Sequence, residues 1–336
     1  MSLRFDFASD NTAGAAPEAL ESFVAANAGY ANSYGFDLVT RRAAELVREL
    51  LDADAEVRFV GSGTAANAIS LAALCRPFEA VAAHEHAHVR MDEAGAPAFF
   101  GHGLGMIPLP GGSGLIEPAA LAKALAAPDS GHRQSPGALS LTQASEYGAV
   151  YSAEAIAALT GAAKAKGLGV HLDGARLANA IAAGFDPKGL KGLGVDILVI
   201  GGTKAGMTPS EAIVLFDNAL VRRFDARLKQ SGQLPSKGRF YAAPWIGMLE
   251  SGAFIRRAEH ANAMARALAA ACPFEVLHPV ETNGVFVRMD EPTRRRLIDA
   301  GWAAHRCFDD SVRMMCSWAT EPEAVEAIAA AMGTLI

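Results

Sequence analysis

The chain has 336 residues, 51% of them hydrophobic, and a formal net charge of −6. That length suits two domains or one large α/β unit, with a core that needs no disulfide or metal staple. The mild acidity and the scattered Lys/Arg residues, whose tightest run is Arg294-Arg295-Arg296, speak against nucleic acid as a partner, and no apolar run approaches the roughly 20 residues that cross a bilayer.

In chain order, "FDLVTRRAAELVRELLDA" (36–53) has helical period, with Leu38, Ala43, Leu46, Val47 and Leu50 on one side. "EVRFVGSG" (56–63) reads as a short strand ending in glycines, and "TAANAISLAALC" (64–75) as the helix after it. "AVAAHEHA" (80–87), "ALSLTQ" (138–143), "GLGVHLDGA" (167–175) and "VDILVIGG" (195–202) read as further strands, with a helix within 152–167. Short apolar runs alternating with helices predict parallel strands covered on both faces. Near 241–252 the pattern changes. One long helix (249–271) leads into strands at 274–279, 283–289 and 311–318, a helix at 292–301 and a terminal helix. These predict a smaller α/β domain. The cysteines Cys75, Cys272, Cys307 and Cys316 form no CxxC pair, and charges interrupt the opening "MSLRFDFASDN", so the expected location is the reducing cytoplasm.

Three constellations could carry chemistry. "VGSGTAAN" (60–67) places glycines at a strand-to-helix junction, where free backbone N–H groups favour a phosphate. It also fits a plain glycine turn, and Gly61-x-Gly63-x-x-Ala66 with Glu85 about 20 residues on matches the loose dinucleotide fingerprint. "AHEHAHV" holds His84, His86 and His88 at alternating positions. A shared strand face makes a metal conceivable, but no second ligand cluster accompanies them, and the expectation is no metal. The third is "HLDGAR" with "GGTK". Asp173 and Lys204 each follow an apolar run, at the expected C-terminal ends of neighbouring strands, where open parallel sheets bind ligands. Taken singly, Asp173 reads as a helix cap and Lys204 as a loop residue. Together with a phosphate-ready loop they match pyridoxal phosphate chemistry. There a desolvated lysine amine attaches the cofactor and an aspartate holds the pyridine nitrogen protonated. A nicotinamide-dependent dehydrogenase would use the glycine loop but leave Lys204 and Asp173 without a role.

Over nearly its whole length the chain resembles the low-specificity threonine aldolases, fold-type-I pyridoxal phosphate enzymes of the aromatic-amino-acid β-eliminating lyase family. The resemblance rests on "FASDNTAGAAPE", "YGFD", "GTAANA", "AHVRMDEAGA", "LTQASEYGAVY", "HLDGARLANA", "GGTKAG", "SKGRFYAA", "PVETNGVFV" and "VRMMCSW". It implies an aspartate-aminotransferase-like α/β fold. A mostly parallel-sheet large domain would cover 1–245, and a smaller C-terminal α/β domain 246–336. It implies Lys204 as the cofactor-attaching lysine, Asp173 at the pyridine nitrogen, Gly63, Thr64 and the Thr203 hydroxyl at the phosphate, and His88 stacked on the ring. Arg176, also against the cofactor, and Arg313 would hold the substrate carboxylate, assisted by Ser9. Tyr34 and the cofactor-contacting Arg239 would reach a neighbouring subunit's site in a homodimer or homotetramer. The implied reaction cleaves threonine-like β-hydroxy-α-amino acids to glycine and an aldehyde, with His88 the first candidate base and Glu146 the second. Alternatives are a phenylserine-type aldolase and a β-eliminating lyase acting on another amino acid. Ala205 and Pro244 stand where many relatives carry Asn and Gln.

Overall fold

The computed structural model describes residues 3–128 and 130–336. The alternating apolar runs build a seven-stranded sheet from β1 (Glu56–Val60), β2 (Glu79–His84), β3 (Gly105–Leu109), β4 (Ser135–Thr142), β5 (Gly169–Gly174), β6 (Ile197–Gly201) and β7 (Glu211–Leu215). Their order is β1-β7-β6-β5-β4-β2-β3. The pairs β6–β5, β5–β4, β4–β2 and β2–β3 are parallel, whereas β7 runs antiparallel to both its neighbours. β6 and β7 are buried at every residue, as strands covered on both faces must be.

Two of these strands were not expected. β3 is an edge strand carrying Pro108, half-exposed and without a clean apolar run. β7 is apolar but begins ten residues after β6 ends, 211 against 201. A parallel return needs a crossover of about a dozen residues or more, so a connection this short forces the reversed direction. The reversal has a functional consequence: Gly201, the last residue of β6, pairs with Glu211, the first of β7.

The helices that position the site are locally specified. Leu38–Leu51 starts where the Asp37 carboxylate accepts the Thr40 N–H at 2.8 Å, and buries Ala43, Ala44, Leu46, Val47 and Leu51. Gly63–Leu74 starts at Ser62, whose hydroxyl accepts the Ala65 N–H. Every residue from Ala66 to Ala72 is buried, so this Ala-rich helix is enclosed by the fold and shows no polar face.

A second, antiparallel sheet has the order β8-β10-β9, from β8 (Gly284–Val287), β9 (His305–Arg306) and β10 (Val312–Met315). The strand expected at 274–279 is reduced to a single bridge, Val276 to Val287. The long helix expected over 249–271 is two helices, Arg239–Glu250 and Ala253–Ala271, broken at Gly252 with φ 68°. That left-handed conformation is one glycine adopts without steric cost. Trp245, Phe254 and Ala258 pack in the main core, while Ala265 and Leu268 pack in a second core with Val285, Leu297 and Ile328. The change from one core to the other therefore falls inside the helix Ala253–Ala271. Phe7, from the other end of the chain, also joins the second core.

Candidate active site

The carboxyl ends of β1, β2, β4, β5 and β6 open on one edge of the large sheet. A cleft of about 250 Å³ lies there, lined among others by Gly63, Thr64, His88, Glu146, Asp173, Arg176, Thr203, Lys204 and Glu211. Eight of the residues singled out from the sequence thus share one cavity with Glu211, which was not. Ser9, Tyr34, Arg239 and Arg313 do not line it.

Lys204 is held by the turn after β6. A Cβ on Gly201 would stand 2.1 Å from the Ala175 carbonyl oxygen, and one on Gly202 2.4 Å from that of Ser210. Only glycines let the backbone pass this closely, which explains the pair ahead of the lysine. Glu211 fastens the turn: its Oε2 accepts the Gly202 N–H at 2.8 Å, and its carboxyl also takes a hydrogen bond from Thr203. Complete burial pushes this carboxyl up to about 7, against the opposing effects of those hydrogen bonds and the Lys204 charge. The Thr203 hydroxyl meanwhile accepts the Ser210 N–H at 3.2 Å. Lys204 itself is half-buried and enters no ion pair among the described residues.

Asp173 is buried near the end of β5. Its Oδ1 accepts the Ala175 N–H and its Oδ2 the Asn67 side-chain amide, both at 2.9 Å. Each carboxylate oxygen can accept a further hydrogen bond. His88 opens a short helix, His88–Met91, whose first N–H is accepted by Glu146 Oε1 at 3.1 Å. Its ring Nδ1 lies 3.0 Å from Glu93 Oε1. That hydrogen bond raises the imidazole above its ordinary value against the effect of burial, and the Glu146 and Asp173 charges add to the rise.

Arg176 is held by a carboxylate of the same chain. Its Nε and Nη2 meet Asp10 Oδ2 and Oδ1 at 2.6 and 3.1 Å, so the chain itself supplies the carboxylate for the two-pronged face of the guanidinium. Burial works to raise the Asp10 carboxyl. The charges of Arg176 and Lys204, with hydrogen bonds from Arg176 and Asn283, outweigh it and hold the group down to about 2. Arg313, on β10, donates through Nη2 to the Ala8 carbonyl at 3.5 Å, and its buried Nε has no hydrogen-bond partner among the described residues. The segment Ala8-Ser9-Asp10 therefore touches both arginines. Tyr34 lines a separate cavity of about 300 Å³ together with Phe36, Arg58 and Gly238. Arg239 follows that Gly238, and its buried Nε also lacks a hydrogen-bond partner among the described residues.

Sequence reasoning passed over Asp10, Asn67, Glu93 and Glu211. Asn67 offered a signal, since it is the one amide in an otherwise small and apolar helix, as did Glu211, a carboxylate at the head of "EAIVLF".

A family model described as beta-eliminating lyase matches residues 6–292. The chain belongs to the beta-eliminating lyase family. It is 42% identical over 331 residues to a low-specificity L-threonine aldolase of a Pseudomonas species, covering 96% of each chain. Its structure superposes on a Leishmania major threonine aldolase with a TM-score of 0.90 at 27% identity, over 97% of this chain and 98% of that one. An aspartate aminotransferase from Thermus thermophilus shares the fold, with a TM-score of 0.70 at 16% identity over 96% and 89% of the two chains. The expected α/β architecture is thus found, with one strand reversed. Among the described residues no helix is long and apolar enough to cross a membrane.

Proposed function

We propose that the protein is a pyridoxal-phosphate-dependent aldolase that cleaves L-threonine and related β-hydroxy-α-amino acids to glycine and an aldehyde. The observation that carries this reading is the meeting of Lys204, Asp173 and His88 in one cleft at the carboxyl edge of the sheet. The residues fit the cofactor. A Cβ on Gly63 would meet nothing within 4 Å, so the helix Gly63–Leu74 presents an open N-terminus with unpaired N–H groups suited to a phosphate. Asp173 has acceptor capacity left for a protonated ring nitrogen, and the Lys204 amine enters no ion pair among the described residues.

When bound, pyridoxal phosphate supplies an electron sink for the pair left on Cα once the Cα–Cβ bond breaks. The protein's residues do the rest. Gly63 and Thr64 bind the phosphate through backbone N–H groups, and Asp173 keeps the ring nitrogen protonated. Arg313, Ser9 and the edge of Arg176 not used by Asp10 hold the substrate carboxylate, which orients the bond to be broken. His88, or Glu146 beside it, takes the β-hydroxyl proton. The Lys204 amine returns a proton to Cα.

Tyr34 and Arg239 lie outside this cleft, which supports a role for both at the site of a second copy in a homodimer or homotetramer. An active, cofactor-loaded monomer in a size measurement would remove them from the mechanism. The decisive assay supplies threonine and cofactor and identifies products. Glycine with acetaldehyde supports aldol cleavage, whereas ammonia with a keto acid supports β-elimination instead. The loaded protein should be yellow and lose that colour irreversibly on borohydride treatment.

A further inference from the structure

A polar chain links His88 to Asp173 through Glu93 and Asn67, two residues to which the roles above assign nothing. The Glu93 side chain is fully buried, and its one ion-pair partner among the described residues is His88. Glu93 Oε1 accepts from Asn67 Nδ2 at 2.9 Å, and the same amide nitrogen gives its other hydrogen to Asp173 Oδ2, also at 2.9 Å. Asn67 is itself buried, on the enclosed helix Gly63–Leu74. Turning its amide over would bring Oδ1 against two carboxylates, so the donor assignment follows from the surroundings.

We propose that Glu93 and Asn67 are positioning residues: Glu93 fixes the His88 ring with its hydrogen on Nδ1, and Asn67 ties that pair to Asp173. The base and the partner of the ring nitrogen are then held as one unit. This rests on the proposed function of the same site. An ionised carboxylate can only accept, so Nδ1 must donate and Nε2 becomes the acceptor of the neutral ring. Oε1 of Glu93 already receives two hydrogen bonds, and Oε2 has no partner. Burial raises the Glu93 carboxyl above its ordinary value, against the hydrogen bonds from His88 and Asn67, both of which reach Oε1 and favour the ionised form. The groups facing His88 are Glu93, Glu146 and Asp173, which favour the imidazolium, and Lys204, which opposes it; those facing Glu93 are His88, Asn67 and Asp173.

The test is Glu93→Gln, which keeps shape and a carbonyl acceptor but removes the charge. Histidine-labelled NMR of the full chain without cofactor, with His88 assigned by the signal missing in His88→Asn, follows its titration. The midpoint should fall by roughly one to two pH units, the size of a hydrogen bond to a charged group. With cofactor and threonine, kcat should drop about 10- to 100-fold with little change in KM, and the acid limb of its pH profile should move to lower pH with the imidazole. Asn67→Ala, which frees Glu93 without deleting it, should lower kcat in the same way with a smaller shift of His88, and it carries the test if Glu93→Gln does not fold. An unmoved His88 titration with an unmoved pH profile overturns the proposal, as does a loss of kcat that merely follows loss of cofactor. Absence of glycine formation by the unaltered enzyme would refute the proposed function instead, and the titration would still judge Glu93.

Discussion

Replacing Asp10 by Asn tests the buried pair that shapes the substrate side of the cleft. Asp10 and Arg176 meet at 2.6 Å with side chains 1% and 8% exposed. Removing one partner of a buried pair costs about 3–5 kcal/mol, because the other charge is left uncompensated. Asn keeps one oxygen toward Arg176, so the lower end of that range applies. Unfolding entropy near 2.1 cal/mol/K per residue gives roughly 0.7 kcal/mol/K for 336 residues, so the melting temperature should fall by about 4 °C. The pH dependence gives a second measure. The folded Asp10 carboxyl lies at about 2, below its ordinary value of 3.8. A depressed carboxyl contributes stability that is fully present above about pH 4 and lost as pH falls through about 2, here roughly 2–3 kcal/mol. The gap between wild type and Asp10→Asn should therefore narrow as pH falls through that window. Thermal melts of Asp10→Asn, Arg176→Leu and the double variant form the assay, and the double variant should lose less than the two singles summed. Strict additivity, or an Asp10→Asn melt within about 1 °C of wild type, would refute the account of Arg176 as held by Asp10.

Lys204→Ala should lose threonine turnover by several orders of magnitude while still binding cofactor through the helix N-terminus; near-normal cleavage in a turnover assay would contradict its role. Arg313→Lys keeps the charge but loses the planar fork, so threonine kcat/KM should fall roughly 10- to 100-fold with the cofactor absorbance retained, as steady-state kinetics beside a spectrum will show. Glu211 is a carboxyl raised in the folded state to about 7 from 4.5. Its contribution to stability is fully present below about pH 4.5 and lost as pH rises through about 7. Glu211→Gln should flatten that loss in melts taken between pH 5 and 8, and an unchanged pH dependence would place the titration elsewhere.

The sequence by itself determined the class of fold and most of the cleft. Apolar runs alternating with helices specify covered parallel strands, and a lysine and an aspartate just past two such runs must emerge at the ligand-binding edge. The need for the glycines before Lys204 came from the tertiary structure, where the chain passes so close to Ala175 and Ser210 that no side chain fits. What the sequence left open were relations between distant segments. The direction of β7 depends on the nine-residue connection before it, and that direction pairs Glu211 with Gly201, beside the turn that carries Lys204. Asp10 meets Arg176 across 166 positions, and Asn67 meets Asp173 across 106. Periodicity reports only which face of its own element a residue occupies. Which buried charge answers which is decided when the elements pack, because a carboxylate removed from water must find its partner wherever the tertiary structure puts one.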